Sequence, residues 1–378
     1  MADNNNNKIL NVPPLRFPKF TDEWEKQKLS DFVERVTRKN KNNESKLPLT
    51  ISAQYGLVDQ ITFFNKVIAS NDISGYYLLK KGEFAYNKSY SGDYTWGAVK
   101  RLDRYEQGAL STLYICFSPL ECVISDYLVH YFETKKWHRE VSEIAVEGAR
   151  NHGLLNIGVA DYFNTKHFLP SKKEQKKIAA FLNLIEKRIA LQTKIIEKYK
   201  SLIKGIGKML MNGEPNVRLS ECLKSHSSTL QENQVAEVGM YEVFGANGKC
   251  GYVDRPLIDG ETILIVKDGS GVGNVMYRTG KYSVIGTLNY LTTNKSYCLK
   301  YLYFLLLNFN FEPYKTGMAI PHIYFKDYGK ATVYCPSLEE QIDISTKLDA
   351  LESKIETEQS FLNLLCLQKQ YLLQQMFI

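Results

Sequence analysis

The sequence is short of several things that would announce a chemistry. It contains no run of 18 apolar residues, and its opening MADNNNNK lacks the apolar centre of a secretory leader. A membrane span needs about 20 apolar residues, so a cytoplasmic protein with a frayed polar N-terminus is expected. Its seven cysteines (Cys116, Cys122, Cys222, Cys250, Cys298, Cys335, Cys366) are odd in number and form no CxxC pair. That pattern argues against a disulfide framework or a zinc ribbon and for reduced thiols. Six histidines (His130, His138, His152, His167, His226, His322) make no HExxH, so metal catalysis has no support. No GxxxxGK[ST] is present, which removes the usual basis for ATP binding.

Two segments imitate enzyme motifs without completing them. In ETILIVKDGSGVGNVMY, Gly269, Gly271 and Gly273 miss the GxGxxG spacing, and β-like residues follow where a phosphate-binding helix would have to begin. A tight hairpin loop is the expectation there. NVPPL at Asn11 approaches an adenine methyltransferase Asn-Pro-Pro-aromatic motif, but a valine is inserted and no glycine-rich cofactor motif accompanies it. No catalytic, cofactor-binding or metal-binding residue is therefore assigned.

What the chain has instead is duplication. PSKKEQKKIAAFLNLIEKRIA from Pro170 is echoed by PSLEEQIDISTKLDALESKIE from Pro336. Ser171 with Glu174, and Ser337 with Glu340, fit the S-x-x-E capping box that opens a helix. In the same register the chain repeats Ile157/Ile323, Asp161/Asp327, Tyr162/Tyr328, Gln175/Gln341, Leu182/Leu348, Glu186/Glu352 and Ile189/Ile355. Beyond each cap the apolar spacing is that of a heptad seam: Ile178, Leu182, Ile185, Ile189, Gln192, Ile196 in one copy, and Ile344, Leu348, Leu351, Ile355, Glu358, Leu362 in the other. Such a seam, about 40 residues and roughly 60 Å long, needs a long partner, and the other copy supplies one. The competing reading, two surface helices each lying on its own domain, predicts wider stripes and shorter helices. Gln192 and Glu358 occupy equivalent central positions, so an antiparallel pair would bring them face to face as a register-fixing polar layer.

The reading is an α+β chain: an N-terminal segment 1–30, a first globular domain 31–169, a long helix 170–214, a second domain 215–335 and a second long helix 336–378, with the domains separated by the two helices pairing as an antiparallel coiled coil. KLSDF at 28–32 resembles RLSEC at 218–222, an offset of 190 against 166 at the domain ends, so the first domain carries 24 extra residues. Gly205 and Gly207 are expected to weaken the end of the first long helix only.

With a net charge of +7 and a sequence pI near 8.8, the chain suits a polyanionic partner. In the first domain YNKSYSGDYTWGAVKRLDRY interleaves cations with aromatics, and Lys88, Ser89, Tyr90, Ser91, Lys100, Arg101 and Arg104 are its DNA-contact candidates. The second domain offers Lys267, Ser270, Asn274, Arg278, Asn289, Tyr290, Lys315 and His322.

The duplicated P-S-x-x-E-Q start, KGEFAYNKSY and GAVKRL from Lys81, YEVFGANGKCGYVD from Tyr241 and DGSGVGNV from Asp268 together resemble the specificity (S) subunit of bacterial type I restriction-modification enzymes. The resemblance covers nearly the whole chain. It implies a non-catalytic subunit that reads a bipartite double-stranded DNA target, one half-site per domain. It also implies docking of two N6-adenine methyltransferase (modification) subunits and, in the full assembly, of ATP-driven restriction subunits. S-adenosylmethionine, ATP and Mg would then belong to the partner subunits, with no cofactor in this chain. The alternatives are a single-chain methyltransferase with fused recognition domains and a coiled-coil adaptor that binds no DNA.

Overall fold

The computed structural model describes residues 10–66, 72–89, 94–145, 154–294, 296–317 and 320–378. The opening octapeptide lies outside them. The chain forms two compact units, Met1–Leu191 with Leu362–Ile378, and Gln192–Phe361.

Among the described residues, ten strands build the first unit: β1 (Glu25–Lys28), β2 (Val33–Arg35), β3 (Pro48–Ser52), β4 (Gly56–Asp59), β5 (Tyr77–Lys80), β6 (Phe84–Asn87), β7 (Ala98–Arg101), β8 (Gln107–Leu110), β9 (Ile115–Pro119) and β10 (Lys166–Leu169). They form sheets in the orders β2-β9-β6-β7 and β4-β3-β8-β5, with β1 paired to β10. The second unit has β11 (Val217–Arg218), β12 (Leu223–Ser227), β13 (Tyr241–Gly245), β14 (Gly248–Val253), β15 (Ile258–Asp259), β16 (Thr262–Val266), β17 (Val275–Arg278), β18 (Lys281–Val284), β19 (Leu288–Thr293) and β20 (Thr332–Val333). Its sheets run β12-β19-β16-β17 and β14-β13-β18-β15, with β11 on β20. Each strand of the first unit thus has a counterpart ten strands later. Even the parallel pairs correspond, β3 with β8 and β13 with β18.

The reason for this layering can be read in the central strands. Along β6, Phe84 and Tyr86 join one core cluster while Ala85 joins another; along β16, Ile263 and Ile265 are separated in the same way from Leu264 and Val266. One face of each strand meets the second sheet and the other meets helices. A strand covered on both sides reads as an unbroken apolar run, as TILIV does.

Helices α1 (Gln60–Phe64), α2 (Ser125–Glu133), α3 (His138–Ile144) and α4 (Val159–Asn164) precede the long α5 (Lys172–Leu210); α6 (Leu219–Cys222), α7 (Leu299–Leu307) and α8 (Phe325–Tyr328) precede the long α9 (Leu338–Gln375). The compact units do not end where the long helices begin. Each takes one end of both, and the N-terminal segment belongs to the first unit, where Arg16 binds Glu174 and β1 pairs with β10. In the first unit Ile178 and Leu182 near the start of α5 share a core with Leu372 and Met376 near the end of α9. In the second, Ile203 near the end of α5 shares one with Ile344 and Leu348 near the start of α9. The helices therefore run antiparallel. Ile185, Ile189, Leu351, Ile355 and Leu362 are half-buried and Ile196 is buried. Gln192 Nε2 donates to the Glu358 carboxylate at 2.5 Å and to the Glu358 carbonyl at 3.1 Å. The seam is shared, since Ile178 and Ile344 also pack into the globular cores.

Both helix starts are fastened by one device. Gln175 donates to the Pro170 carbonyl (2.9 Å) and accepts from the Ile124 amide ahead of α2 (2.8 Å). Gln341 donates to the Pro336 carbonyl (2.8 Å) and accepts from the Cys298 amide ahead of α7 (3.0 Å). Both side chains are buried, so each amide depends on the two backbone groups it binds for its hydrogen bonds. Ser171 and Ser337 accept from the Glu174 and Glu340 amides at 3.4 and 3.3 Å, the expected caps. The glycines do not end α5, which continues through Gly205 and Gly207 to Leu210. Gly207 lets the helix approach α7: a Cβ there would sit 2.9 Å from the Asn308 amide nitrogen.

Candidate nucleic-acid interface

The glycine-rich segment of the second unit is a hairpin loop, residues 267–274, joining β16 to antiparallel β17. Gly269 and Gly273 take left-handed φ values of +95° and +90°, which close the turn. The Asn274 amide donates to Gly271, and that of Gly273 to Val266. No helix follows, as a nucleotide-binding turn would need. The loop instead receives a second segment. The Gly269 amide donates to the Pro321 carbonyl (3.0 Å), and the Ile323 amide to the Lys267 carbonyl (3.0 Å). Thr316 and His322 exchange both backbone bonds (2.9 and 2.8 Å). Gly317, at φ +90°, is required there, because a Cβ would lie 2.3 Å from the Ile320 carbonyl.

This pair of loops is a platform edged with cations and rings. Lys267 forms an ion pair with Asp268, Lys315 with Glu312 (2.6 Å), and Ser270 and Asn274 are exposed on the hairpin. The His322 ring lies edge-on to Tyr324 at 5.1 Å, and Lys326 sits over Tyr324 at 5.1 Å. Tyr324 and Lys326 were not among the sequence candidates, although both stand within four residues of His322.

Among the described residues the first unit repeats the base of this arrangement: β6 pairs antiparallel with β7, and the Lys88 carbonyl accepts from the Leu155 amide (2.9 Å) as that of Lys267 does from Ile323. A bridge between Ser89 and Leu154 matches that between Asp268 and His322. Lys88 and Lys267 are therefore counterparts, each the first residue past its strand and each tied to the segment ahead of α4 or α8. Tyr90 and Ser91 lie outside the described residues.

Other candidates go elsewhere. Arg101 pairs with Phe84 and Arg278 with Thr262 in their ladders, at the ends of the hairpins remote from the platforms. The Arg101 guanidinium is held by Asp103 (2.7 Å), Asp126 (2.7 Å) and Ser125 (2.9 Å), while Arg278 lies over the Phe244 ring at 4.1 Å. Arg104, exposed, follows Arg101 at that remote end. Lys100 is half-buried; burial holds its pKa below the ordinary lysine value, and the charges nearest it are Glu133, Lys369 and Glu186. Asn289 is buried in the sheet, and Tyr290 stacks on His226 at 4.9 Å. Base edges are out of reach of a buried amide.

One polar cluster of the first unit has the composition of a metal site. Ligand atoms of His130, Glu133 and Glu186 lie within 4.8 Å of one another. Lys369 already supplies the cation, at 2.8 Å from Glu133 and 2.7 Å from Glu186. Against the effect of burial, His130 and Lys369 hold the Glu133 carboxyl down to about 2. The cluster is an ion-pair node between α2 and the long helices.

Comparison with known proteins gives these features a setting. The family model described as "Type I restriction modification DNA specificity domain" matches residues 216–365. The Escherichia coli type I restriction enzyme EcoprrI specificity subunit is 27% identical over 114 residues, 30% of this chain and 28% of that protein's length. Two solved structures share the fold at 16% identity. The S subunit of a type I restriction-modification system from M. genitalium gives a TM-score of 0.57 over 97% of this chain and 99% of that one. A chain from a structure concerned with complex assembly and conformational transition of the type I R-M system gives 0.55 over 93% and 96%. No helix among the described residues is long and apolar enough to cross a membrane. A type I specificity-domain signature thus lies over residues 216–365, and the fold along the chain is the one shared with the M. genitalium S subunit.

Proposed function

We propose that this chain recognises a bipartite double-stranded DNA target without catalysing any reaction. Each unit reads one half-site through its two-loop platform, and the long helices dock two methyltransferase subunits and, through them, the restriction subunits. S-adenosylmethionine, ATP and Mg act in those partners. The observation that carries the reading is the duplicated platform, in which Lys88 and Lys267 open equivalent hairpins clamped by equivalent segments. Lysines at such places neutralise phosphates, and exposed Ser, Asn and His side chains reach base edges.

The test is to co-express the chain with its methyltransferase and map the methylated adenines. A split motif with a fixed gap is expected. Substituting Ser270 and Asn274 by alanine should relax only the half-site read by the second unit, at about 1–3 kcal/mol per lost base contact. Relaxation of both halves, or methylation without a gap, would refute the assignment.

A further inference from the structure

Lys100 is held at a cost. It is half-buried, it makes no ion pair among the described residues, and the loss of water that lowers its pKa is offset by Glu133 only from a distance. The fold does not require a charge there. Lys100 pairs with Ala85 in its ladder as Met276 pairs with Leu264 in the second unit, and Met276 packs against an apolar core. The lysine instead lines a cavity of about 720 Å³ that lies wholly within the first unit, where edge strand β7, the end of α2 and the two long helices meet. Among the described lining residues, Lys100, Lys135 and Lys369 stand against one carboxylate, Glu133. Lys369 is committed to Glu133 and Glu186, which leaves Lys100 and the exposed Lys135 without a counter-charge. Gln54 and Gln370 add exposed amides to the same walls. At the helix position of Lys369 the other copy has Ile203, in an apolar core.

We propose that this cavity binds a small molecule through a phosphate monoester. Such a group carries close to two negative charges at neutral pH and several acceptor oxygens, which matches two unpaired lysines flanked by amide donors. At its size the cavity falls in the range of small-molecule sites, about 300–1,000 Å³, so the body of the ligand fits beside the phosphate. Lys100 lies at the end of its hairpin remote from the platform, which favours a freely diffusing ligand over the strand read there. A bound phosphate relieves the penalty on Lys100, because an ammonium withdrawn from water is stable when a counter-ion faces it.

The probes are AMP and, as the minimal ligand, inorganic phosphate, titrated into the full chain at an ionic strength fixed with chloride. Cys366, exposed on the cavity wall, reports occupancy through its rate of alkylation by iodoacetamide, and Cys122, exposed outside the cavity, is the internal control. A probe at about ten times its Kd should slow alkylation of Cys366 about tenfold and leave Cys122 unchanged, because the reaction then proceeds through the unoccupied fraction. Lys100→Met, which installs the second unit's own residue, should abolish that protection while leaving the denaturation midpoint unchanged or higher. Lys135→Ala, at an exposed position, should raise the Kd about tenfold. The proposal is overturned if neither probe protects Cys366, if protection survives both substitutions, or if duplex DNA alone protects.

Discussion

At the junction of α2 with α5 in the first unit, Asp126 accepts from Asn183 at 2.9 Å and from Arg101 at 2.7 Å. At the same place in the second unit, where α7 meets α9, Lys300 binds Asp349 at 2.7 Å and Glu352 at 2.9 Å. The sites coincide in the fold and are opposite in charge. A similar contrast holds two turns earlier. Glu174 is almost fully buried under Arg16 of the N-terminal segment, with bonds of 2.7 and 2.8 Å, whereas Glu340 is exposed. One backbone plan thus tolerates different side-chain circuits provided each is closed on itself, since a buried charge left without its partner costs far more than a paired one.

Acid should separate the units most strongly. His167 on β10 is buried and accepts or donates bonds to Tyr131 (2.7 Å) and Thr165 (2.8 Å); burial pushes its pKa down to about 3. Its counterpart in the second unit is the apolar Val333. Between an unfolded pKa near 6.5 and the depressed folded value, only the unfolded state takes the proton. Stability of the first unit therefore falls as pH drops through that window, by an upper bound of about 4–5 kcal/mol at about 1.4 kcal/mol per unit. Hydrogen exchange at stepped pH should show the first unit opening before the second. His167→Val should shrink that difference, leaving the part due to His138, which burial pushes down to about 4 in the same unit, and no change at all would place the acid sensitivity elsewhere.

Next in size are the buried glutamines. Gln175→Ala or Gln341→Ala leaves a backbone carbonyl and a backbone amide without their partner, about 1–3 kcal/mol each, so each variant should lose about 2–6 kcal/mol in denaturant titration. Equal losses would mark the clamp as common to both units; a loss confined to one would break the correspondence. A smaller effect is expected at the caps. Glu174→Ala leaves the Arg16 guanidinium without its carboxylate and should cost about 2 kcal/mol and expose residues 10–24 to protease, while Glu340→Ala should be near neutral. Smallest is Gly205→Ala. Nothing lies within 4 Å of a Cβ there, so a gain of about 0.5–1 kcal/mol from helix propensity is expected. At Gly207 contact with Asn308 should cancel that gain.

The legible part of the fold was whatever repeats locally. Capping residues, the heptad seam and the facing of Gln192 and Glu358 depend on spacing along one helix, and TILIV and the GSGVG turn depend on neighbours in sequence. The platforms were half legible. Lys88, Ser89, Lys267, Ser270 and His322 stand in them, but Arg101 and Lys100 were drawn from the same basic stretch and are held by Asp126 and desolvated by burial, respectively. Composition reports that a segment is cationic and is silent about which carboxylates fold against it.

By itself the sequence determined that the chain is written twice, that each copy ends in a long helix, and that the two helices meet along one seam, because hydrophobic period and capping chemistry act over a few residues. Tertiary structure alone decided which cations remain open to a polyanion, since that depends on charges brought together from residues such as Arg101 and Asp126, which are 25 positions apart. It likewise decided that Gln175 and Gln341 would be clamps, because the amides they satisfy lie 51 and 43 residues away. Burial turns such distant partners into obligations, and no local pattern encodes burial.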